Sequence, residues 1–176
     1  MRGFLTGIRL AEGDASFGHV IEGVRADRNT SEGISVGGPG SKIRANHVLQ
    51  TGGSTLSFAA RAYGILVNIP GGVVADNEVV GTTAVAGSFA YGIHATRCDG
   101  LVIEGTRIVN EAPPPAYSFG ILVPFSEDVL VVNNRLSHLD VGVSYSSGGT
   151  GKYRDNLTSG VVLPFAGTGT DAGNNN

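Results

Sequence analysis

A four-residue pattern recurs along this chain and restricts the folds available to it more than any other feature. The pattern is a glycine followed by Ile or Val, one variable residue and another apolar residue. Its glycines lie 22 to 31 residues apart, at Gly7, Gly33, Gly64, Gly92, Gly120 and Gly142. Repeats of this period are typical of solenoids, in which each unit buries its apolar face by stacking on its neighbours.

The apolar residues within each repeat indicate strands. They alternate with a period of two and are rich in Ile and Val, and a second strand-like segment follows each pattern. We therefore expect an all-β chain whose parallel strands stack about 4.8 Å apart. The residue before each glycine and the first and third after it are expected to point inward. Two columns then stack like on like, one of Ile8, Ile34, Ile65, Ile93, Ile121 and Val143, and one of Tyr63, Tyr91 and Phe119.

The second segment of each repeat carries a polar position in register. It is occupied by Asn46, Asn77, Thr106, Asn134 and Asn156, with Val24 as the apolar exception. Asparagine tolerates left-handed backbone geometry at a tight corner, and its amide both donates and accepts hydrogen bonds. We expect these side chains to point inward and to form a ladder in which each rung bonds to the next.

Composition narrows the classes of function. Only 15% of the residues are charged and the formal net charge is −3, whereas proteins that bind duplex nucleic acid usually carry a basic stripe. The 41% of apolar residues is too high for a disordered tail. The low charge therefore predicts no nucleic-acid partner. No uninterrupted apolar run approaches the roughly 18 residues of a membrane span, so we expect no membrane partner either.

The repeat resembles that of a known superfamily. A Gly-Ile-x-Val motif is followed by apolar-x-x-Asn-x-apolar, as at 64–67 and 74–79. Over residues 6–158 this resembles the single-stranded right-handed parallel β-helix, or pectin lyase-like, superfamily. The resemblance implies a right-handed solenoid of about six turns. It says little about activity, because this architecture is shared by polysaccharide lyases, hydrolases, epimerases, phage tailspikes, adhesins and modules without catalysis.

The two ends of the solenoid need protection, because raw strand edges invite aggregation. We expect residues 1–158 to form one β-helix domain and residues 159–176 to form a capping segment and a flexible tail. The apolar residues 161–165 would fold over the last turn as a plug, and the residues after them would fray. No amphipathic helix precedes Gly7, although the family commonly has one. The chain is therefore expected to be a piece of a longer protein, or to pack its first turn against an upstream domain or a second subunit.

A charged column on the second segment is the strongest catalytic candidate. It contains His47, Glu78, Arg107 and Arg135 on successive turns. Lyases of uronic-acid polymers need cations to neutralise the substrate carboxylate and a base to remove the neighbouring proton. The alternative is a structural ion-pair ladder with Glu78 between His47 and Arg107. We expect no metal site and no cofactor; Ca²⁺ would be involved only if the protein is a lyase.

Three longer loops, at 50–62, 81–90 and 110–118, are expected to form one lateral wall, with Arg61, Glu111 and Tyr117 as their main chemical groups. His94 lies between two leucines in an outward column, where it would face either a sugar or a partly covered surface. The substrate-binding candidates are therefore His94, Tyr117 and Arg61.

We expect a scaffold or carbohydrate-binding module without catalysis, part of a bacterial surface or phage-tail protein. The alternative is a polysaccharide lyase or epimerase acting through the charged column, or an inactive fragment of such an enzyme. Its partner would be a polysaccharide or other glycan. If the chain belongs to a longer protein, we expect it outside the cell, on the cell surface or on a virion.

Overall fold

The computed structural model describes residues 1–10, 16–54, 60–110 and 117–176. The described residues contain strands and no helix, so the predicted all-β class is confirmed. Glu111, one of the loop groups named above, lies outside them. In chain order the strands are β1 (Thr6–Leu10), β2 (Val20–Glu22), β3 (Arg25–Asp27), β4 (Glu32–Gly37), β5 (Lys42–Arg44), β6 (His47–Leu49), β7 (Ala62–Asn68), β8 (Val73–Ala75), β9 (Glu78–Val80), β10 (Phe89–Ala95), β11 (Val102–Glu104), β12 (Arg107–Val109), β13 (Tyr117–Pro124), β14 (Val129–Val132), β15 (Arg135–Ser146), β16 (Gly151–Arg154), β17 (Leu157–Gly167) and β18 (Thr170–Asp171).

The strands form two sheets, and every pair of neighbouring strands is parallel, as predicted. The smaller sheet has the order β18-β16-β14-β11-β8-β5-β2. The larger sheet runs from β1 through β4, β7, β10 and β13 to β15, and returns through β12, β9 and β6 to β3, with β17 paired to β15. Because β15 is long, its first residues pair with β12 and its later residues with β13. The larger sheet therefore turns back on itself and is nearly closed.

The isoleucine column is present and lies in the core. Its members are Cα partners in successive strands, from Ile8 through Ile34, Ile65, Ile93 and Ile121 to Val143. The four central isoleucines are fully buried. The stacking of like on like predicted from the repeat is thus confirmed for this column.

The recurring glycine is required by close packing and not by a left-handed turn, because none of the six has a positive φ. At Gly64 an added Cβ would lie 2.5 Å from Cγ1 of Val79 and 2.6 Å from the carbonyl oxygen of Gly92. The same clash with the carbonyl of the next glycine recurs at Gly33, Gly92 and Gly120. Any side chain here would separate the stacked strands.

The prediction that the aromatic column points inward is wrong. Because the missing side chain of Gly64 and the side chain of Ile65 both face the interior, the period-two alternation is interrupted at the glycine. Tyr63 is therefore displaced from the inward side. The rings of Tyr63, Tyr91 and Phe119 lie outside the main core cluster, and the first two contact His94 of the outward column.

The polar ladder residues are buried and joined by hydrogen bonds. Asn46 Nδ2 donates to Asn77 Oδ1 at 3.0 Å, and Asn134 Nδ2 donates to Asn156 Oδ1 at 3.0 Å. Where the rung is Thr106, its hydroxyl accepts the backbone N–H of Asn77 at 3.3 Å. Each asparagine of these pairs also donates to a backbone carbonyl beside it.

The left-handed conformation belongs to the residue before each rung and not to the asparagine itself. Positive φ values occur at Gly23, Ala45, Asp76, Gly105, Asn133 and Asp155. The residue before each rung therefore makes the turn, and the side chain of the rung residue itself points into the ladder.

The C-terminal residues continue the stacking. Strand β17 extends across the expected boundary at residue 158 and pairs with β15 over much of its length. Oδ1 of Asn175 accepts hydrogen bonds from the backbone N–H of Asn156 at 3.1 Å and from its Nδ2 at 3.2 Å. The expected frayed tail is therefore paired in the structure, and Asn175 forms a further rung.

Candidate functional site

The outer side of strands β7, β10 and β13 carries a group of large side chains outside the main core cluster. The rings of Tyr63, Tyr91 and Phe119 are in register in the three strands, and Leu66, His94 and Leu122 are in register three residues later. We call the rings of Tyr63, Tyr91, Phe119, Phe89, Tyr117 and His94 the aromatic patch.

The three central rings cover one another. The centroids of Tyr63 and Tyr91 are 5.1 Å apart with planes 14° from parallel, and those of Tyr91 and Phe119 are 5.4 Å apart at 24°. Tyr91 is consequently only 7% exposed. Because each ring occupies the face of the next, this column presents ring edges to a ligand and not faces.

Two further rings are more open. Phe89 and Tyr117 are Cα partners and are 38% and 49% exposed. Tyr117 packs against Phe119 at an interplanar angle of 61°, so it does not join the stack. The guanidinium carbon of Arg61 lies 6.0 Å from the centroid of Phe89, within the distance at which a cation is attracted to a ring face. Tyr117 is thus the most accessible aromatic surface of the patch.

His94 is an uncharged member of the patch at neutral pH. Its ring meets Tyr91 edge-on at 4.9 Å and Tyr63 at 5.5 Å. Burial, followed by the positive charge of Arg61, lowers the pKa of His94 to about 4. Its Nδ1 is buried without a hydrogen-bond partner among the described residues. The structure therefore brings the three predicted substrate-binding residues, His94, Tyr117 and Arg61, to one surface.

A groove of about 250 Å³ adjoins the patch. Its lining includes Arg9, Ser35, Asn68 and Thr96, and also Leu66, which is the Cα partner of His94. The outer side of the sheet is therefore aromatic across β7, β10 and β13, and towards β4 and β1 the groove combines these polar groups with the apolar side chains of Leu10 and Val36.

The charged column forms a second group on strands β6, β9, β12 and β15. Nδ1 of His47 lies 2.9 Å from Oε2 of Glu78, and Nη1 of Arg107 donates to Oε1 of Glu78 at 2.6 Å. The hydrogen bond to His47, opposed by partial burial and aided by Arg107, lowers the pKa of Glu78 below its ordinary value. Glu78 is therefore held as an ionised carboxylate with both oxygens bonded, which makes it a weak proton acceptor.

Arg135 is adjacent to this group but not bonded to it. It is the Cα partner of Arg107, and its Nη1 donates to the backbone carbonyl of Asn134 at 3.2 Å. Of the four predicted catalytic residues, three are linked to one another and Arg135 is separate. This is the arrangement of the ion-pair alternative, although the role of these residues in any reaction stays a prediction.

Two absences concern only the described part of the chain. No three side chains of the His, Cys, Asp or Glu types come together there in a way that would hold a metal ion. The same residues include no helix with the length and apolar character needed to cross a membrane.

Sequence reasoning missed the outward orientation of the aromatic column, although one signal was available. Phe89 and Tyr91 are two residues apart, as are Tyr117 and Phe119, so alternation places each pair on one side of the sheet. Since Phe89 and Tyr117 belong to loops expected at the surface, their partners would have been assigned outward as well.

Comparison with known proteins adds little. The described residues define an all-β protein of stacked parallel strands, but no family model matches the chain and no curated protein matches it. Among solved structures it is similar to one titled "Crystal structure of Agl-KA catalytic domain", with 13% sequence identity and a TM-score of 0.44. The match covers 99% of this chain and 45% of that one, so this chain spans less than half the length of that structure.

Proposed function

We propose that this protein is a right-handed parallel β-helix of about six turns, of the pectin lyase-like type, and that it binds carbohydrate without catalysis. The turns are supported by register, because residues 22 to 31 positions apart are Cα partners throughout the larger sheet. The binding function rests on the aromatic patch. A module on a bacterial surface or in a phage-tail assembly would use this surface to hold a glycan.

The exposure of Tyr117 is the observation that carries the proposal. Pyranose rings have an apolar face of C–H groups, and an aromatic ring face provides a matching apolar surface. Nearly half of Tyr117 is open to solvent, and its ring is held at a fixed angle by Phe119. A preformed ring loses little conformational entropy when a ligand binds, which favours affinity.

The rest of the surface suits an extended ligand. The five strands β1, β4, β7, β10 and β13 span roughly 19 Å at the usual strand spacing. Their outer side passes from the aromatic patch to the groove. Arg9, Ser35 and Asn68 provide hydrogen-bonding groups for sugar hydroxyls along that path. An oligosaccharide would contact both parts, whereas a monosaccharide would contact only one.

The proposal is tested by binding of the whole chain to a broad panel of glycans, followed by calorimetry with the tightest ligand. We expect Tyr117→Ala to weaken binding about tenfold or more. Phe89→Ala should weaken it less, because the guanidinium of Arg61 already lies over the ring of Phe89. Phe17→Ala is the matched control, because Phe17 is an aromatic residue 73% exposed and outside the patch. Failure to bind any glycan, or equal losses in Tyr117→Ala and Phe17→Ala, would contradict the proposal.

The alternative is a polysaccharide lyase or epimerase acting through His47, Glu78, Arg107 and Arg135, or an inactive fragment of such an enzyme. A depression beside Arg107 and Arg135 is the observation that favours it. Lyase action would release an unsaturated product that absorbs in the ultraviolet, and Arg135→Ala would abolish that signal while Arg44→Ala would not. Absence of the signal over a panel of uronic-acid polymers would remove lyase activity from consideration.

A further inference from the structure

The depression beside Arg135 lies on the outer side of strands β12, β15 and β17. Its volume is about 340 Å³. Arg107 of β12 is the Cα partner of Arg135 of β15, and Ser137 of β15 is the Cα partner of Ser159 of β17. The lining consists of Arg107, Arg135, Leu136, Ser137, Leu157, Thr158, Ser159 and Asn176. Among these residues there are two guanidinium groups, the apolar side chains of Leu136 and Leu157, and no Asp or Glu side chain.

The positive charge at this place is only partly neutralised. Arg107 is paired with Glu78, but Arg135 has no carboxylate partner among the described residues, and the next position in its column is Leu157. Its one hydrogen bond, to a backbone carbonyl, leaves the remaining guanidinium donors free. The charged column therefore ends in an unpaired cation at the depression.

Hydroxyl groups lie next to this cation. Ser137 is two residues after Arg135 on the same strand, so both are on one side of the sheet, and Ser159 is the Cα partner of Ser137. Neither serine hydroxyl has a hydrogen-bond partner among the described residues. The hydroxyl of Thr158, by contrast, donates to the backbone oxygen of Asn176 at 3.0 Å. The free donors are thus a planar guanidinium and two hydroxyls one strand spacing apart.

We infer that this depression is a binding site for a tetrahedral oxyanion, the chemical group shared by phosphate, sulfate and their monoesters. The fork of Arg135 bonds two oxygens of such an ion, and the remaining oxygens lie out of that plane, where the hydroxyls of Ser137 and Ser159 donate to them. A planar carboxylate can also use the fork, but its remaining lone pairs lie close to the plane of the guanidinium, so it is less suited to accept from hydroxyls outside that plane. The inference does not depend on glycan binding by the aromatic patch, which lies on other strands.

The test is a titration of the whole protein with inorganic sulfate, phosphate and acetate, with ionic strength held constant by chloride. The readouts are calorimetric affinity and the thermal midpoint. We expect sulfate and phosphate to bind and acetate to bind more weakly. Arg135→Gln should weaken the tetrahedral ions about tenfold, and Ser137→Ala with Ser159→Ala should weaken them severalfold while leaving acetate unchanged. Arg44→Gln is the control, because Arg44 is already paired with Glu22 at 2.9 Å.

Unchanged affinity in Arg135→Gln, or equal responses to sulfate, phosphate and acetate in all variants, would overturn the inference. Arg135→Lys keeps the charge and removes the fork, so an intermediate loss supports the geometry even if Arg135→Gln folds poorly. Sulfated, phosphorylated and unsubstituted oligosaccharides then separate the sources of the group. Binding of the esters identifies a substituted glycan, and binding of the free ions alone identifies an ion site. If Tyr117→Ala loses glycan binding and still binds sulfate, the aromatic patch and the depression beside Arg135 are separate binding sites.

Discussion

Removing one rung of the polar ladder gives the sharpest test of how this chain is held together. The change is Asn134→Ala. Oδ1 of Asn134 accepts the backbone N–H of Thr106 at 3.0 Å, and its Nδ2 donates to the carbonyl of Ile103 at 3.1 Å and to Oδ1 of Asn156 at 3.0 Å. Thr106, Ile103 and Asn134 are all fully buried. Water therefore has no access to the groups that lose their partner.

The expected loss in the free energy of unfolding depends on which buried groups have no hydrogen-bond partner in the variant. Asn156 Oδ1 still accepts the backbone N–H of Asn134 at 3.0 Å, so its loss is small. The N–H of Thr106 loses the side chain that bonds it, and a buried unpaired group costs about 1–3 kcal/mol. The carbonyl of Ile103 loses one of its donors but remains in the ladder between β11 and β14. We expect Asn134→Ala to lower the free energy of unfolding by roughly 1–3 kcal/mol. For a domain of this size, a loss of about 2 kcal/mol lowers the thermal midpoint by roughly 4–8 °C.

The measurement is thermal unfolding followed by circular dichroism, with Asn133→Gly as the control. Asn133 is the exposed neighbour with φ of 56°, a conformation that glycine adopts without strain, so the control should change stability by less than about 0.5 kcal/mol. Asn134→Thr should be intermediate, because the hydroxyl of Thr106 already accepts the N–H of Asn77 at 3.3 Å. If Asn134→Ala is as stable as Asn133→Gly, the ladder does not stabilise the fold.

Three further changes address the corners, the glycine column and the patch. Ala45→Gly should raise the free energy of unfolding by about 1 kcal/mol in denaturant titrations, since Ala45 has a φ of 54° that costs alanine roughly that much; a destabilised variant would mean that its methyl group is needed. Gly92→Ala should destabilise severely or prevent folding, because the new methyl would lie 2.7 Å from the carbonyl of Gly120 and 2.6 Å from Cγ2 of Ile108; a normal thermal midpoint would show that the strands separate easily. His94→Leu should reduce the loss of stability on acidification. Because burial lowers the pKa of His94 from 6.5 to about 4, its neutral form stabilises the fold fully above pH 6.5, and that contribution, up to roughly 3 kcal/mol, is lost as pH falls from 6.5 towards 4. Parallel curves for His94→Leu and the parent chain over this range would contradict the assignment.

Most of the strand arrangement was accessible from the sequence, because each repeat places similar apolar residues at the same inward positions. Ile65 and Ile93 are Cα partners as their spacing predicts, and Asn134 and Asn156 bond to each other from the ladder position. Residues in register can be compared without knowing the structure of the loops between them. The strand pairing can therefore be predicted even though the repeats differ in length.

The orientation of the aromatic residues was not accessible in the same way. Strict alternation from Ile65 places Tyr63 inward, whereas alternation from Phe89 places Tyr91 outward. The close contact between Gly64 and the opposite strand decides between them, because it shows that two successive residues face the core. The sequence predicts a flexible tail after the apolar residues 161–165, but the side chain of Asn175 forms a further rung of the ladder. For Glu78 the sequence left catalysis and ion pairing open, since residue types do not reveal that both carboxylate oxygens are bonded.

The glycine register also determines how the length of this molecule can change. Apart from the long β15, which pairs with β12, β13 and β17, each strand pairs only with its direct neighbours in the sheet. We therefore expect that a whole unit can be removed or duplicated without altering the pairing of the others. Removal of residues 64–91 would join Tyr63 to Gly92 and place Ile34 beside Ile93 with all columns intact. Removal or duplication of one unit would therefore shorten or lengthen the stack of strands by about 4.8 Å.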